Sequence, residues 1–445
     1  MIQEQEIKNK IHLARRSVFF THFNELKKCS LEKQLDQLFK KSNPILMKYD
    51  LPEFDLKEYR TKSGEEKRAI QKKWRNDVLN LNNAWLHKMT HDDTGLVEMM
   101  TYFWHGHFAC ETNKNPYLTL NYNNVLRENA LGNFKNLLLG VAKSPAMVNY
   151  LHLKQNKKGK PNEDFARELM ELFTLGRDNG YTEADIIEVA RCFTGWSIDK
   201  NGKYMFRKNI HDYGEKTVFG KTGTFSGEDV LDMILDKKEC AHFIASKIYR
   251  FFVNDELNNK HVELLGDVLF EANYDIKAMM RFLFEADWFY ESKGKLIKSP
   301  VRMIVEFAKM FELELVDHSL YRKIQAFLGE TLFDPPNVAG WPGGTKWIDT
   351  SRLAFRMRIG SVFTNKGILQ WDSGEEIDAQ KQKMGGKKLN LSESINWKRF
   401  WKNNEGIEIY DLLISVNNAA LREALNNKTE LTVTQLISTP DYQLA

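Results

Sequence analysis

Apolar residues recur at three- and four-residue steps through most of this 445-residue chain, and that period constrains its fold more than any other feature. It is the period of one face of an α-helix. A chain that repeats it over many segments must bury the resulting stripes against one another. The clearest run is Lys67 to His91, where Ile70, Trp74, Val78, Leu81, Trp85 and Met89 form one stripe. Ser30 precedes a shorter one with Leu31, Leu35, Leu38 and Phe39. Leu96 to Phe108 places Met100, Phe103, Trp104 and His107 on one face and turns His105 to another. Further helices are predicted over 125–151, broken near Ser144-Pro145, and over 229–253, 261–270, 275–289, 299–315 and 351–363.

The period changes in two places. Residues 41–66 hold Pro44, Pro52 and a Lys-Ser-Gly turn and read as loop. Residues 196–228 are rich in glycine, with Tyr204-Met-Phe and Thr217-Val-Phe as short strand-like runs. The expected fold class is therefore mainly α: a multi-helical globular array with a small β-hairpin or irregular insertion. The expected organisation is a main helical domain over 1–371 carrying the 196–228 insertion, a polar linker over 372–389, and a C-terminal helical segment over 390–445 packing on the main domain.

Composition narrows the function classes. The chain is 42% hydrophobic and 12% aromatic, enough to fill a large core. Its 64 basic and 60 acidic residues nearly cancel, which gives no electrostatic footprint for nucleic acid. Cys29, Cys110, Cys192 and Cys240 are far apart, against both a disulfide framework and a thiolate zinc site. No apolar run suits a membrane span, and the charged start lacks an export core. The expectation is a cytoplasmic protein, or an exported one whose leader has been trimmed. Neither a Walker lysine loop, a strand-linked Gly-x-Gly-x-x-Gly nor His-Glu-x-x-His occurs, which disfavours standard nucleotide and zincin chemistry.

Polar chemistry concentrates in four stretches. In Asn162 to Gly176, Phe165, Leu169, Leu172 and Phe173 define one side of a helix, and Glu163, Asp164, Arg167, Glu168 and Glu171 the other. Asn162 is placed to cap it, with early acids suiting its positive end. The plain reading is a solvated face with four-residue Glu–Arg pairs worth about 0.2–0.5 kcal/mol each. The functional reading turns the acids to a cavity, where they bind a divalent ion or move protons, with Arg167 orienting an anionic group. His107 is either a satisfied core histidine or a metal ligand or base. His211-Asp212 with Lys216 is either a solvated loop or an oxyanion-stabilising cluster. The Pro335-to-Gly344 loop is either a rigid brace or, through Trp341 and Trp347, a stacking wall. Thr182 with Asp185 forms a capping box for the next helix.

Taken together, Phe103-Trp-His-Gly-His-Phe108, Ser144-Pro-Ala-Met147, Asn162 to Leu172 with Thr174-Leu-Gly176, Thr194-Gly-Trp196, His211-Asp212 with Lys216, Pro335-Pro-Asn-Val-Ala-Gly-Trp341 and Pro440-Asp-Tyr-Gln443 resemble the bacterial domain-of-unknown-function family 1800. The resemblance runs over nearly the whole chain. It implies a mostly helical protein without an established activity. Many members are exported, and many are encoded beside proteins similar to the alkaline phosphatase and sulfatase group. Because its motifs coincide with each polar cluster, it favours one shared pocket.

Two functions are expected from this. The first is an enzyme, a metal-assisted hydrolase or a related acid/base enzyme, with Glu168, Arg167, Lys216 and Asp212 catalytic, Asn162, Glu163 and Trp341 contacting substrate, and His107, Glu171 and His211 holding a divalent metal ion. The second is a non-catalytic binding or assembly protein acting with a phosphatase- or sulfatase-like partner, the same polar residues being structural.

Overall fold

The computed structural model describes residues 2–53, 55–92, 95–365, 368–369, 389–390 and 395–445. The expected polar linker over 372–389 falls, but for its last residue, outside the described residues. The fold is mainly α, and the glycine-rich stretch supplies two short antiparallel hairpins. Trp196–Ile198 pairs with Tyr204–Phe206, and Lys216–Val218 pairs with Lys221–Gly223. A two-residue pairing of Ile368–Leu369 with Leu389–Asn390 lies elsewhere.

The chain divides into two compact units. One comprises residues 1–35, 290–330 and 342–445, and the other residues 36–289 and 331–341. The first is built on the helix Pro300–Phe311, whose Val301, Met303, Ile304, Val305, Phe307 and Ala308 are fully buried. The same helix carries Glu306, which accepts from the buried Lys298 ammonium at 2.8 Å and from the Tyr442 hydroxyl at 3.2 Å. A buried charge of this kind is tolerable only when paired and hydrogen-bonded.

The second unit is organised around Gly64–His91, which starts at a capping box between Ser63 and Glu66. Its stripe is buried from Trp74 through Met89, whereas Ile70 remains partly exposed near the start. The predicted loop before it contains a short helix, Leu56–Thr61, because Asp55 accepts from the amides of Lys57 and Glu58. Tyr59 from that helix stacks on Trp74 at 5.2 Å.

Against Gly64–His91 pack Gly95–His107 and Pro116–Glu128. They bring Glu98 and Arg127 together in the core, both side chains fully buried. Arg127 donates to Glu98 through Nε at 2.7 Å and Nη2 at 3.0 Å, and the indole of Trp85 donates to Glu98 at 2.9 Å. Arg127 Nη1 is taken up by the side-chain oxygens of Asn123 and Asn124. The helical pairs Phe134–Lys143 with Pro145–Tyr150, and Lys238–Phe252 with Asn259–Glu271, complete the frame that carries the polar clusters.

Candidate functional site

Up to Trp341, the polar stretches singled out from the sequence lie in the second unit, where they form two ion networks and one capped helix end. The acid-rich segment begins as a single α-helical turn and a half, Asp164–Glu168. It then runs directly into a π-helical segment, Leu169–Thr174. Asn162, the expected cap, therefore sits one residue ahead of the N-cap position. The N-cap position is Glu163, without a side-chain cap, while Asn162 Oδ1 still accepts from the Asp164 amide at 3.2 Å. Asn156, itself buried, accepts from the Asn162 amide and donates to Ala190 O, tying the segment's start to Glu183–Cys192. At its far end the amides of Leu175 and Gly176 share Met170 O, and Gly176 takes a φ of +93°.

Arg167 is the hub of the first network. Its Nη1 and Nη2 form a fork on Glu183, at 2.9 and 2.8 Å. Nη1 also reaches Glu171 at 3.3 Å and Nη2 reaches Glu163 at 3.2 Å. Glu171 is further contacted by Arg177 Nε at 3.4 Å. The four-residue Glu–Arg pairs thus form as the spacing predicts, but the stronger two-pronged contact goes to a residue of the next helix. That helix opens with the expected Thr182–Asp185 capping box, which directs Glu183 back toward Arg167. Sequence spacing carried no signal for the Glu183 partnership.

Glu168 stands apart. It is half-buried, and its carboxyl group makes no hydrogen bond among the described residues. Burial raises its pKa from the ordinary carboxyl value, with the neighbouring charge of Glu171 acting in the same direction. The phenol of Tyr150 lies within its electrostatic reach and is itself pushed up to about 12, first by burial.

His107 ends the helix Gly95–His107, which runs through Gly106 unbroken. Its Nε2 lies 3.0 Å from Phe173 O, so this nitrogen carries the proton and donates. Phe173 belongs to the last turn of its own helix, where carbonyls lack intrahelical partners. His107 satisfies one of them. Burial pulls its pKa down to about 3, helped by the charge of Lys247, so the ring is neutral. His105 points to a different face, as its rotation predicts. It is buried, its Nε2 accepts from the Phe333 amide at 3.1 Å, and burial lowers its pKa to about 3. Trp341 packs its ring 5.2 Å from that of His105. Gly340 beside it has φ +80°, and a Cβ there would sit 2.4 Å from Gly106 O. Trp347 belongs to the first unit, where it is buried.

The second network surrounds His211. The ring is buried, and Nδ1 donates to Thr194 O at 2.8 Å. Thr194 Oγ1 accepts from the Asp212 amide at 2.8 Å and donates to Arg191 O. Asp212 pairs with Arg191 Nε at 2.8 Å, and this hydrogen-bonded cation is the first cause of its lowered pKa. Arg191 also holds Glu188, three residues back on its helix, at 2.7 Å. The Lys216 ammonium is buried and donates to the carbonyls of Asp212 and Gly214, at 2.6 and 3.1 Å. Burial lowers its pKa. Arg191 and Thr194, which organise this loop, were not singled out from the sequence. Thr194 had a signal in the Thr194-Gly-Trp196 motif, and Arg191 had none.

The structure thus brings Glu163, Arg167 and Glu171 together, and separately His211, Asp212 and Lys216. It does not bring His107, Glu171 and His211 to one point: they do not place three ligand atoms within 4.8 Å of one another. Each instead addresses a neighbour of its own, Phe173 O, the two arginines and Thr194 O. No helix among the described residues is long and apolar enough to cross a membrane.

No curated protein and no solved structure matches this chain. A family model does, over residues 12–444, and with nearly the whole chain covered the protein belongs to DUF1800, a family described as of unknown function.

Proposed function

We propose that this chain is a binding or assembly protein, acting with a phosphatase- or sulfatase-like partner, in which the polar clusters are framework. The observation that carries the reading is the saturation of Arg167 by three carboxylates, one of them held by both prongs of the guanidinium. A group waiting for an anionic substrate keeps donors aimed at empty space. Arg167 spends its terminal donors within the chain. Lys216 likewise spends its ammonium on two carbonyls, and Asp212 its carboxylate on Arg191 and the Gly214 amide. A polar network satisfied in this way rigidifies and specifies a single packing. The partner class comes from the family resemblance, in which such chains are often encoded beside phosphatase- and sulfatase-like proteins.

The test is affinity capture of the neighbouring phosphatase- or sulfatase-like protein by the full chain, with its ester hydrolysis measured in the presence and absence of the chain. Retention, unchanged by Glu168→Gln, is the expected result. Hydrolysis of a phosphate or sulfate ester by the chain alone, lost in Glu168→Gln, would overturn the reading.

One observation favours a second reading, an acid/base enzyme centred on Glu168. A half-buried carboxyl with a raised pKa and no hydrogen-bonded partner has the protonation behaviour of a general acid. In its metal-assisted form this reading needs a divalent ion near Glu168 and Glu171. Metal content that survives the Glu168→Gln/Glu171→Gln double substitution would sink that form.

A further inference from the structure

We infer that His87 and His91 chelate a late first-row divalent metal ion, such as Zn²⁺ or Ni²⁺, at the wall of an open cavity in the second unit. This site is separate from the acid-rich helix and independent of either function proposed for it. The two histidines are four residues apart on Gly64–His91, so they project from one face a single turn apart. Their rings stack with centroids 4.0 Å apart and planes 20° from parallel. A ring nitrogen of each lies within 4.8 Å of the other, close enough for one ion to draw both in with a small rotation.

The tautomer of His91 is also set for ligation. Its Nδ1 lies 3.0 Å from His87 O, a backbone acceptor, so Nδ1 carries the proton and Nε2 the lone pair. A hydrogen bond from the non-ligating nitrogen to a carbonyl is the usual way a metal-bound imidazole is oriented. His91 is the last residue of this 28-residue helix, and the negative end of the helix dipole favours a cation there.

The histidines line a cavity of about 530 Å³ with Met47, Lys48, Ala84 and Asp92. That is room for the waters or small anions that complete the coordination of a two-histidine chelate. Lys88, which shares the wall, is held aside by its ion pair with Asp92 and by Glu98 at 3.8 Å. Two imidazoles select zinc, nickel or copper over magnesium and calcium, which prefer oxygen.

The experiment is calorimetric titration of the full chain, stripped with a chelator, with zinc chloride, nickel chloride and magnesium chloride. One Zn²⁺ or Ni²⁺ per chain and no Mg²⁺ is expected. His87→Ala and His91→Ala should each weaken binding by about tenfold or more. His152→Ala should leave it unchanged, which separates this site from binding by any surface histidine. If an alanine variant loses its melting transition, His91→Gln carries the comparison. Equal binding by wild type and the His87→Ala/His91→Ala double variant, or an equal loss in His152→Ala, would overturn the inference.

Discussion

Arg127→Met tests how much of the second unit's stability depends on one buried contact. The substitution keeps a long side chain but leaves Glu98 fully buried, with the Trp85 indole as its remaining close donor and Lys88 3.8 Å away. It also strips Asn123 and Asn124 of the guanidinium they accept from. Breaking a buried pair from one side costs about 3–5 kcal/mol, because a charge is left without compensation. At about 2–4 °C per kcal/mol for a domain of this size, the melting temperature should fall by roughly 6–20 °C. Circular dichroism melts of wild type, Arg127→Met, Glu98→Gln and the double variant form a cycle. Since Gln removes the stranded charge but keeps an acceptor for Trp85, the double variant should melt above Arg127→Met. A double variant that melts as low as Arg127→Met, or lower, would refute the claim that the stranded carboxylate is what costs stability. The loss would then lie in packing.

Two further outcomes follow from the same geometry. His105 has a folded pKa of about 3 against an ordinary 6.5, so below pH 6.5 the unfolded chain takes up a proton that the folded one refuses. Its contribution is complete above pH 6.5 and is lost as pH falls toward 3, at up to about 1.4 kcal/mol per pH unit. His105→Gln, which can still accept from the Phe333 amide, should flatten the acid limb of a stability–pH profile measured by urea unfolding. Gly340→Ala forces a Cβ into a left-handed residue 2.4 Å from Gly106 O. It should cost roughly 1–3 kcal/mol in the same assay, and a neutral result would mean the Pro-Gly-Trp loop is no brace.

The helices were legible because their cause is local. The stripe Trp74 to Met89 and the Thr182 capping box depend on residues within one or two turns, and spacing alone encodes them. The polar contacts were legible only as far as they are local too. Arg167 meets Glu163 and Glu171 as four-residue spacing requires, yet its fork belongs to Glu183, sixteen residues on, because two parallel hydrogen bonds to one carboxylate outweigh two single ones. His107 lies with the apolar face as expected, but its partner is a carbonyl exposed by the end of a π-helical segment that periodicity did not announce. The π turn also spoils a helical wheel drawn through Asn162 to Gly176, since each such turn adds a residue to the period. The His87–His91 pair was open to sequence reading by its spacing, but it sat on a helix noticed for its apolar side.

Glu168 is where the two readings of the acid-rich helix part, and its energetics can be argued through. The other glutamates around Arg167, Glu163, Glu171 and Glu183, each meet its guanidinium. The Glu168 carboxyl is half-buried without a hydrogen bond, and its folded pKa lies above the ordinary carboxyl value. A carboxyl of that kind opposes folding at pH values above its unfolded pKa, where the unfolded chain holds the charge at less cost. The penalty fades as pH falls through the folded pKa toward the unfolded one. Glu168→Gln should therefore raise the melting temperature at pH 7 and change it less at pH 4. A residue that costs stability where it stands is what a binding or reacting group looks like before its ligand arrives. If Glu168→Gln instead lowers the melting temperature at pH 7, the carboxylate is stabilised by its surroundings. The acid/base reading then loses its one support, and the helix becomes framework along its full length.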